Sequence, residues 1–503
     1  MHISLDSALG RQRRLNSVGE SVLQIAPNAA AAYSLRSLTG ADPKVVRVRR
    51  ASDNGERDFT SSEITSGEMV NWVNKQVIAP LDIQALEADG RTGDFLIAKA
   101  AYSLRSLGTR QATLAATGDT VARANGKFVV QVRRSSDDAL KSFTAAEVTD
   151  GTLLAFVNQI QTVGTAVNGT GSFDNYTVSN LSTTGFSANN SAGGTGSAGF
   201  PYVFKDDDVL VVKYTVTNFS STSSLSPALR GVNGTNSVTG VTNSGTAFTA
   251  NGTYTDTLTA TADGTHLMYA DGNTGSYTIS DFEIVSHSSS GFVKTWYDQS
   301  VTNQAGDTAT GNHAVQGTAA NQPKIVSAGA LVADNGIDFD GSGDILAASS
   351  LSGMGSAISV ITASIRDSGT GASVSVGSSA SSANTYFATI EGGSVSQTNA
   401  RNTTSVAVNA SVSGTTRLTF SLTTGQTSTK TGALGGTLVE TTSDYGDDFT
   451  SGELDTVSIG KLRPSSGTTF NGRIREILIY NSDQTDNRGA IEANIGEAYS
   501  ITG

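Results

Sequence analysis

The chain has 503 residues, no cysteine and a formal net charge of −12, and 16% of its residues are charged. Without cysteine there are no disulfides, thiolate metal sites or cysteine nucleophiles, and the negative charge argues against nucleic-acid binding. No apolar run approaches the roughly 18 residues that a membrane span needs, so we expect no membrane insertion.

Residues 1–30 are predicted to form an arm that docks on a partner. The first 50 residues hold eight Lys or Arg and three Asp or Glu, whereas the rest of the chain is acidic. So short a segment cannot build a core of its own, and such segments become ordered on a partner; a frayed tail is the alternative. The expected docking side chains are Leu5, Leu9, Arg11, Arg13, Arg14, Leu15 and Val18.

Three short motifs then occur twice in the same order. AAYSLRSL begins at residues 31 and 100, VVRVRRASDN at 45 is matched by VVQVRRSSDD at 129, and FTSSEITSGEMVNWVN at 59 by FTAAEVTDGTLLAFVN at 143. The spacing of apolar residues predicts a helix, a half-buried strand and a second short helix for the three motifs. We therefore predict a small duplicated α/β unit in residues 31–95 and 96–163, of which the second copy continues at 288–325.

The composition changes after residue 163. Between residues 161 and 290 only 12 of 130 residues are charged. Apolar and polar residues alternate in stretches such as VLVVKYTVTNF and GSYTISDFEIVSH, and turns rich in Gly, Asn and Ser separate these stretches. This pattern predicts strands, so residues 164–287 are interpreted as an inserted β-sandwich that resembles a carbohydrate-binding module. Similar stretches predict a second β-sandwich in residues 326–503, closed by a helix that Thr485 or Asp486 caps. The predicted fold class is mainly β, with jelly-roll sandwiches beside the duplicated α/β unit.

The order of several motifs resembles a known module. AYSLR, VRRSSD, LLAFV, GFVKTWYDQS, GNH, ANQPKIV, IDFDGSGDIL and FNGRIREILIYN follow one another as in virion proteins of tailed bacteriophages, notably phages of marine cyanobacteria. The front half is similar to the catalytic domain of fungal α-L-arabinofuranosidases, and the back half to concanavalin A-like lectins and glucanases with the laminin-G type of jelly roll. The resemblance implies a virion protein with lectin-like domains.

Two groups of candidate site residues follow. The resemblance places a sugar site at a turn that is continuous in the family as YDQSGNGNH but here has ten residues between YDQS and GNH. The predicted glycan-binding residues there are Asp298, Gln299, Asn312 and His313. Asp338, Asp340 and Asp344, together with Ser342 between the last two, place side-chain oxygens at alternate positions, as at the start of a calcium loop. The predicted metal ligands are the three aspartates. We expect no other cofactor, and a plain strand-to-strand turn is the alternative.

Glycoside hydrolysis needs two carboxylates at a defined separation. The candidates in the sequence are Asp298, Glu391, Asp444, Asp447, Asp448 and Glu453, but none matches the nucleophile segment of the arabinofuranosidases, so the chain is predicted not to be an enzyme.

The sequence thus predicts a structural protein on the exterior of a tailed-phage virion, a tail fibre, adhesin or capsid decoration. Its expected partners are other virion proteins, host-surface glycans and further copies of itself in a homo-oligomer, of which a trimer is one form. Two alternatives stay open: an arabinofuranosidase-like hydrolase of surface polysaccharide, and an architectural decoration protein without a ligand.

Overall fold

Strands dominate the computed structural model of the chain, which confirms the predicted mainly β class. The structure describes residues 44–49, 56–65, 69, 98–105, 107 and 128–501, without 106, 169–175, 192, 194–195, 221–224, 233–237, 240–244, 272–273, 301–311, 350, 381–384 and 464–467. The chain divides into two compact units, Met1–Ala79 and Pro80–Gly503. No helix in these described ranges is long and apolar enough to cross a membrane.

The described part of the first unit is one copy of the duplicated α/β element. It consists of strands β1 (Lys44–Arg49) and β2 (Glu56–Thr60), followed by helix α1 (Ser61–Thr65). The two strands pair antiparallel, with Val46 opposite Phe59. The Thr60 hydroxyl accepts the N–H of Glu63, and the Glu63 carboxylate accepts the N–H of Thr60. This reciprocal pair is a capping box, which fixes where α1 begins.

The second copy repeats this arrangement at an offset of 84 residues. Its elements are β4 (Phe128–Arg134), β5 (Leu140–Thr144), α2 (Ala145–Thr149) and α3 (Thr152–Val157). Val130 lies opposite Phe143, and the ladder shifts register between residues 128 and 130 as it does between 44 and 46. Thr144 and Glu147 form the same capping box. The repeated sequence therefore encodes a repeated strand register and helix start.

The AAYSLRSL motif does not form the predicted helix. In the second copy it forms strand β3 (Ala98–Ser103), which pairs antiparallel with β31 (Asn471–Tyr480). Its Ala98, Ala100, Ala101 and Tyr102 are all fully buried. A strand that is covered on both faces is apolar at consecutive positions, so it lacks the alternation by which sequence patterns distinguish a strand from a helix. The first copy, residues 31–38, lies outside the described residues.

Residues 167–288 form a β-sandwich with a core of its own. One five-stranded sheet contains β7 (Thr177–Ser179), β8 (Phe186–Asn190), β10 (Val209–Thr217), β13 (Gly252–Thr259) and β15 (Gly275–Ser288). The other contains β6 (Val167–Asn168), β9 (Gly196–Phe204), β11 (Pro227–Val232), β12 (Val238–Thr239) and β14 (Gly264–Asp271). Aromatic rings from both sheets fill the space between them, and Phe200 and Phe282 stack at 3.9 Å between ring centroids.

All other described strands of the second unit join one continuous set of hydrogen-bonded strands. Those between residues 291 and 391 are β16 (Gly291–Trp296), β17 (Ala314–Val315), β18 (Lys324–Ser327), β19 (Ala330–Leu331), β20 (Ile337–Asp340), β21 (Leu346–Ala348), β22 (Ile358–Ser368), β23 (Gly371–Gly377) and β24 (Thr385–Glu391). The later ones are β25 (Val395–Asn402), β26 (Thr404–Ser411), β27 (Thr416–Thr423), β28 (Thr429–Ala433), β29 (Val439–Thr441), β30 (Thr456–Ile459) and β31.

This large β-structure includes the second α/β copy. Strand β16 pairs with β4, and both contribute to the core that β20, β30 and β31 share. The predicted domain boundary between residues 325 and 326 falls inside β18, so the strands on its two sides belong to one sheet. The other predicted domain boundaries stay a prediction.

The closing helix is α4 (Arg488–Tyr499), and among the described residues there are also short 3-10 helices at Ala319–Asn321, Ala333–Asn335 and Thr485–Asn487. The position before α4 is Asn487, whose side chain makes no capping hydrogen bond. The predicted caps are therefore wrong, because Thr485 and Asp486 lie in a 3-10 turn that precedes the helix. Ile491 and Ile495 pack against the sheet, as their spacing predicted.

Candidate functional site

The predicted glycan-binding residue Asp298 is buried and holds strand β3 in place. Its carboxylate accepts the backbone N–H of Ala101 at 2.9 Å, and the N–H and hydroxyl of Ser300 at 2.9 and 3.0 Å. Only 3% of the residue is exposed, and this burial raises the pKa of the carboxyl above its ordinary value.

Gln299 continues the same role one residue further. Its Nε2 donates to the carbonyls of Ser103 and Arg105 at 2.8 and 3.1 Å, and its Oε1 accepts the N–H of Leu107 at 3.0 Å. The side-chain amide thus satisfies three backbone groups at the end of β3 and in the residues that follow it. The side chains of the YDQS motif thus anchor the backbone of the AYSLR motif, which gives a structural reason for the two motifs to occur together.

Asn312 and His313 are also engaged within the fold. The Asn312 amide donates to the carbonyl of Lys99 at 2.7 Å, and His313 Nδ1 accepts the N–H of Asp298 at 3.0 Å. The four predicted glycan-binding residues do come together around β3, where their side chains bind groups of the fold. Their role as sugar ligands stays a prediction.

The carboxylates first considered for catalysis are likewise committed to the fold. Glu391 is fully buried between the sheets, where it accepts from Ser396 Oγ and Thr419 Oγ1 at 2.8 and 3.0 Å and lies 3.7 Å from Arg417 Nε. Asp448 accepts the N–H of Gln426 at 2.6 Å. Two more accept backbone N–H groups in the same loop region, Asp444 from Gly446 and Glu453 from Thr450. At Asp447 it is the backbone carbonyl that accepts, from the side-chain amide of Asn402.

A cavity of about 550 Å³ has the chemical groups that a polar ligand needs. We call it the aspartate cleft. Its walls come from the inserted sandwich and from the large β-structure, and Lys324 of one wall lies 3.8 Å from Asp207 of the other. The carboxylates that line it are Asp138, Asp206, Asp207, Asp263, Asp338, Asp340 and Asp344. The cations are Arg133, Lys205 and Lys324.

The turn after β20 brings two carboxylates of this cleft into opposite environments. Asp340 accepts the N–H of Ser342 at 2.7 Å and the N–H of Gly343 at 3.1 Å, and these bonds hold its pKa below the ordinary value although burial opposes them. Only 8% of the surface of Asp344 is exposed, and its carboxylate accepts the N–H of Asp340 at 3.0 Å. Burial raises the pKa of Asp344 to about 7, and the negative charge of Asp340 adds to that rise.

Two further groups complete the cleft. Burial raises the pKa of Asp338 above its ordinary value, although Arg473 opposes that change. The Phe292 ring lies in the cleft wall with the Arg133 guanidinium 4.8 Å and the Lys324 ammonium 5.9 Å from its centroid. The cleft therefore combines a carboxyl group of raised pKa, a carboxyl group of lowered pKa and several hydrogen-bond donors.

The three aspartates of the predicted calcium loop lie at the end of β20 and in the turn after it, and calcium binding there stays a prediction. Both oxygens of Asp340 accept hydrogen bonds within the turn, from backbone N–H groups and the Ser342 hydroxyl. In the ranges that the structure covers, no group of three or more His, Cys, Asp or Glu side chains is placed to hold a metal ion. The seven predicted docking residues of the N-terminal arm lie outside the described residues, so that role stays a prediction.

The sequence did not reveal the cleft, because its residues come from distant segments. Arg133 lies near the end of β4, Lys205 and Asp207 belong to a turn of the inserted sandwich, and Asp344 ends a turn some 140 residues later. Two signals were available in the sequence: the turn that contains Asp338, Asp340 and Asp344, which was predicted as a calcium loop, and the acidic KDDD stretch at residues 205–208.

No protein-family model matches the sequence, and no curated protein matches it. Among solved structures, the CBM40 module of the Ruminococcus gnavus IT-sialidase is 16% identical, covering 31% of this chain and 96% of that one at a TM-score of 0.25. A mutant GH54 α-L-arabinofuranosidase soaked with 4-nitrophenyl α-L-arabinofuranoside is 12% identical, and the match covers 42% of this chain and 52% of the enzyme at a TM-score of 0.32. The Trypanosoma rangeli sialidase is 12% identical, and the match covers 42% of this chain and 32% of the sialidase at a TM-score of 0.30.

These neighbours correct one prediction. They include an arabinofuranosidase and sialidases, which are glycoside hydrolases, so the prediction that the chain is not an enzyme is overturned. The chain spans about half the length of the arabinofuranosidase. None of the neighbours assigns a site residue or a substrate to this chain, and none indicates a phage origin.

Proposed function

We propose that the chain is a carbohydrate-active protein that binds a glycan in the aspartate cleft and hydrolyses a glycosidic bond there. One observation carries this proposal: Asp344 has a pKa raised to about 7, whereas that of its neighbour Asp340 is lowered. Two carboxyl groups whose environments separate their pKa values in this way are suited to acid and base roles.

Asp344 is the proposed general acid. Because its pKa is about 7, a large fraction of the group holds a proton at neutral pH, and it can deliver that proton to the oxygen of the leaving sugar. Asp340 stays ionised and stabilises the positive charge that develops on the sugar ring during bond cleavage. After cleavage the deprotonated Asp344 can accept a proton from the attacking water.

The rest of the cleft matches a ligand rich in hydroxyl groups. Charged donors and acceptors alternate along its walls, as in the Lys205–Asp263 pair at 2.9 Å. Hydroxyl groups can both donate to carboxylates and accept from ammonium groups, so a polyol can replace the water that these charges bind. We propose a neutral polysaccharide as the substrate class, with arabinofuranosyl side chains as the first candidates because the sequence resembles arabinofuranosidases.

The direct test is sugar release by the full chain from arabinoxylan and from a panel of surface polysaccharides. Asp344→Asn removes the proton donor and is expected to lower the rate at least about a hundredfold, since general acid catalysis contributes 10²–10⁴. The matched control is Asp281→Asn at an exposed position of β15 with a positive φ of 54°, which asparagine also adopts. Equal rates for wild type and Asp344→Asn would refute the assignment.

The location on a virion is a separate proposal that rests on the sequence resemblance alone. In that setting the cleft would act on glycans of the host surface, and many copies of a weak site would strengthen attachment. The N-terminal arm would supply the contact with other virion proteins.

A further inference from the structure

Strand β26 ends one sheet of the large β-structure. Its ladder with β25 runs without a register shift from Val395 opposite Ser411 to Arg401 opposite Ser405. The next strand along the chain, β27, cannot pair with it, because β22 and β28 occupy the two sides of β27. In the part of the chain that the structure describes, β25 is therefore the one strand that pairs with β26, and the other side of β26 is a sheet edge.

The backbone of this edge carries a row of hydrogen-bonding groups. Just after β26, Val412 donates its N–H to the carbonyl of Ser394 at 2.9 Å, on the side of β25. Hydrogen-bonded and non-hydrogen-bonded pairs alternate along an antiparallel ladder. The even-numbered residues of β26 therefore direct their N–H and carbonyl groups to β25, and the odd-numbered ones direct theirs to the edge. The edge groups belong to four residues with exposed side chains: Ser405, Ala407, Asn409 and Ser411.

The edge has none of the sequence features by which proteins prevent strand pairing. Exposed edges are usually protected by a lysine, a proline, a bulge or a very short strand. Strand β26 has eight residues, TSVAVNAS, without a proline, a charge or a bulge. Two of its exposed side chains also bind towards β25 and away from the edge. Asn409 Oδ1 accepts Gln397 Nε2 at 2.8 Å, and Ser405 Oγ donates to Asn399 Oδ1 at 3.1 Å.

We propose that β26 pairs antiparallel with β26 of a second copy of this chain, so that the sheet continues through a two-fold dimer. With Val408 on the two-fold axis, Ala407 lies opposite the partner's Asn409, and Ser405 lies opposite the partner's Ser411. Both members of each pair direct their backbone groups to the edge, so every edge N–H finds a carbonyl acceptor across the interface.

The side chains at this edge fit a second copy of the chain. Residues 402–416 contain no charged side chain, so two copies meet without opposed like charges although each has a formal net charge of −12. On the covered face Val408 meets the partner's Val408 and Val406 meets the partner's Ala410, which continues the buried apolar row of β26. A partner of different chemistry would be recognised by charged or large apolar side chains, and the exposed positions of β26 have neither.

The dimer goes beyond the proposed function and does not depend on it. Strand β26 shares no residue with the aspartate cleft, and the readouts below do not involve sugar release. A failure of the hydrolase proposal therefore leaves this one standing, and the reverse is also true.

The first test uses single cysteines, because the chain has none of its own. Ala407→Cys and Asn409→Cys each place one thiol on the edge. In the proposed register these two positions face each other across the interface with Cα atoms about 5.5 Å apart, a separation that a disulfide spans. On mild oxidation of the full-length chains, an equimolar mixture of the two variants should form covalent dimer at least about fivefold faster than either variant alone, because identical positions are only diagonal neighbours. Asn409→Cys mixed with Lys213→Cys, at an exposed position of β10, is the control and should not cross-link.

The second test is sedimentation equilibrium of the full chain through the micromolar range, where we expect a dimer. Ala407→Pro removes an edge N–H without removing a bond to β25 and should weaken the dimer at least about tenfold. Ala407→Thr keeps that N–H and should dimerise as wild type does.

The proposal is overturned if wild type is monomeric throughout this range, or if its edge pairs with a strand of a different protein instead. It is also overturned if the mixture cross-links no faster than the single variants, or if Ala407→Pro keeps its melting temperature and dimerises as wild type does. In these last two cases the copies meet through another register or another surface.

Discussion

Asp344→Asn is expected to stabilise the protein at high pH, because the native environment of Asp344 disfavours its charge. The folded pKa of about 7 lies above the ordinary value of 3.8, and this difference corresponds to about 4 kcal/mol. Below pH 4 the carboxyl is protonated in both the folded and the unfolded chain, so it has no effect there. Between pH 4 and 7 the unfolded chain releases the proton first, and stability falls as the pH rises. Above pH 7 the carboxyl is ionised in both states, and the protein has lost the full stability difference of about 4 kcal/mol.

Asparagine is neutral throughout and can still accept the N–H of Asp340 that Asp344 accepts at 3.0 Å. The variant should therefore match wild type at pH 4 and exceed it by up to about 4 kcal/mol at pH 8.5. The assay is urea unfolding at a series of pH values, followed by the fluorescence of tryptophan, since Trp296 is fully buried. A difference between the two proteins that does not change with pH, or a variant that is less stable at pH 8.5, would refute the reasoning.

Four further predictions concern other parts of the molecule. Asp340→Asn should change the free energy of unfolding in the opposite direction. It should destabilise the protein at pH 7 by roughly 1–2 kcal/mol, and the loss should be smaller at pH 2.5 in the same urea assay. Asp298→Ala leaves the buried N–H groups of Ala101 and Ser300 without acceptors and should cost about 2–6 kcal/mol; an unchanged urea midpoint would contradict the anchoring role. Deleting residues 164–287 behind a short linker should leave a cooperatively melting remainder, because Asn158 already hydrogen-bonds Ser289 at 3.0 Å; loss of solubility would count against this. A chain without residues 1–28 should fold but fail to assemble onto particles, and normal incorporation would mean that the anchor lies elsewhere.

Sequence patterns predicted what depends on local alternation. The first strand of each repeat, the inserted sandwich and the apolar side of the closing helix are half-exposed elements, so their residues alternate or recur at the spacing of their structure. The second strand of each repeat, β2 and β5, was not predicted. AAYSLRSL has no such alternation because both faces of β3 are covered. Its helix-forming residues therefore pointed to the wrong element.

The candidate site could not be predicted in the same way, because its chemistry depends on burial. Asp298 and Gln299 looked like ligand residues in sequence, yet their oxygens and nitrogens bind the backbone of β3 and of the residues after it. Asp340 and Asp344 are two similar residues of one turn, and only the structure shows that one is held ionised by backbone N–H groups while the other is buried. A sequence contains no measure of that difference.

The pH dependence of kcat/KM for sugar release tests the central claim most directly. If Asp344 is the proton donor, kcat/KM of the wild type falls as the pH rises through about 7, the pKa to which burial raises this group, and Asp344→Asn retains little activity and no such fall. Activity that rises through pH 7, a fall near pH 7 that persists in Asp344→Asn, or no release from any polysaccharide at any pH would contradict the account.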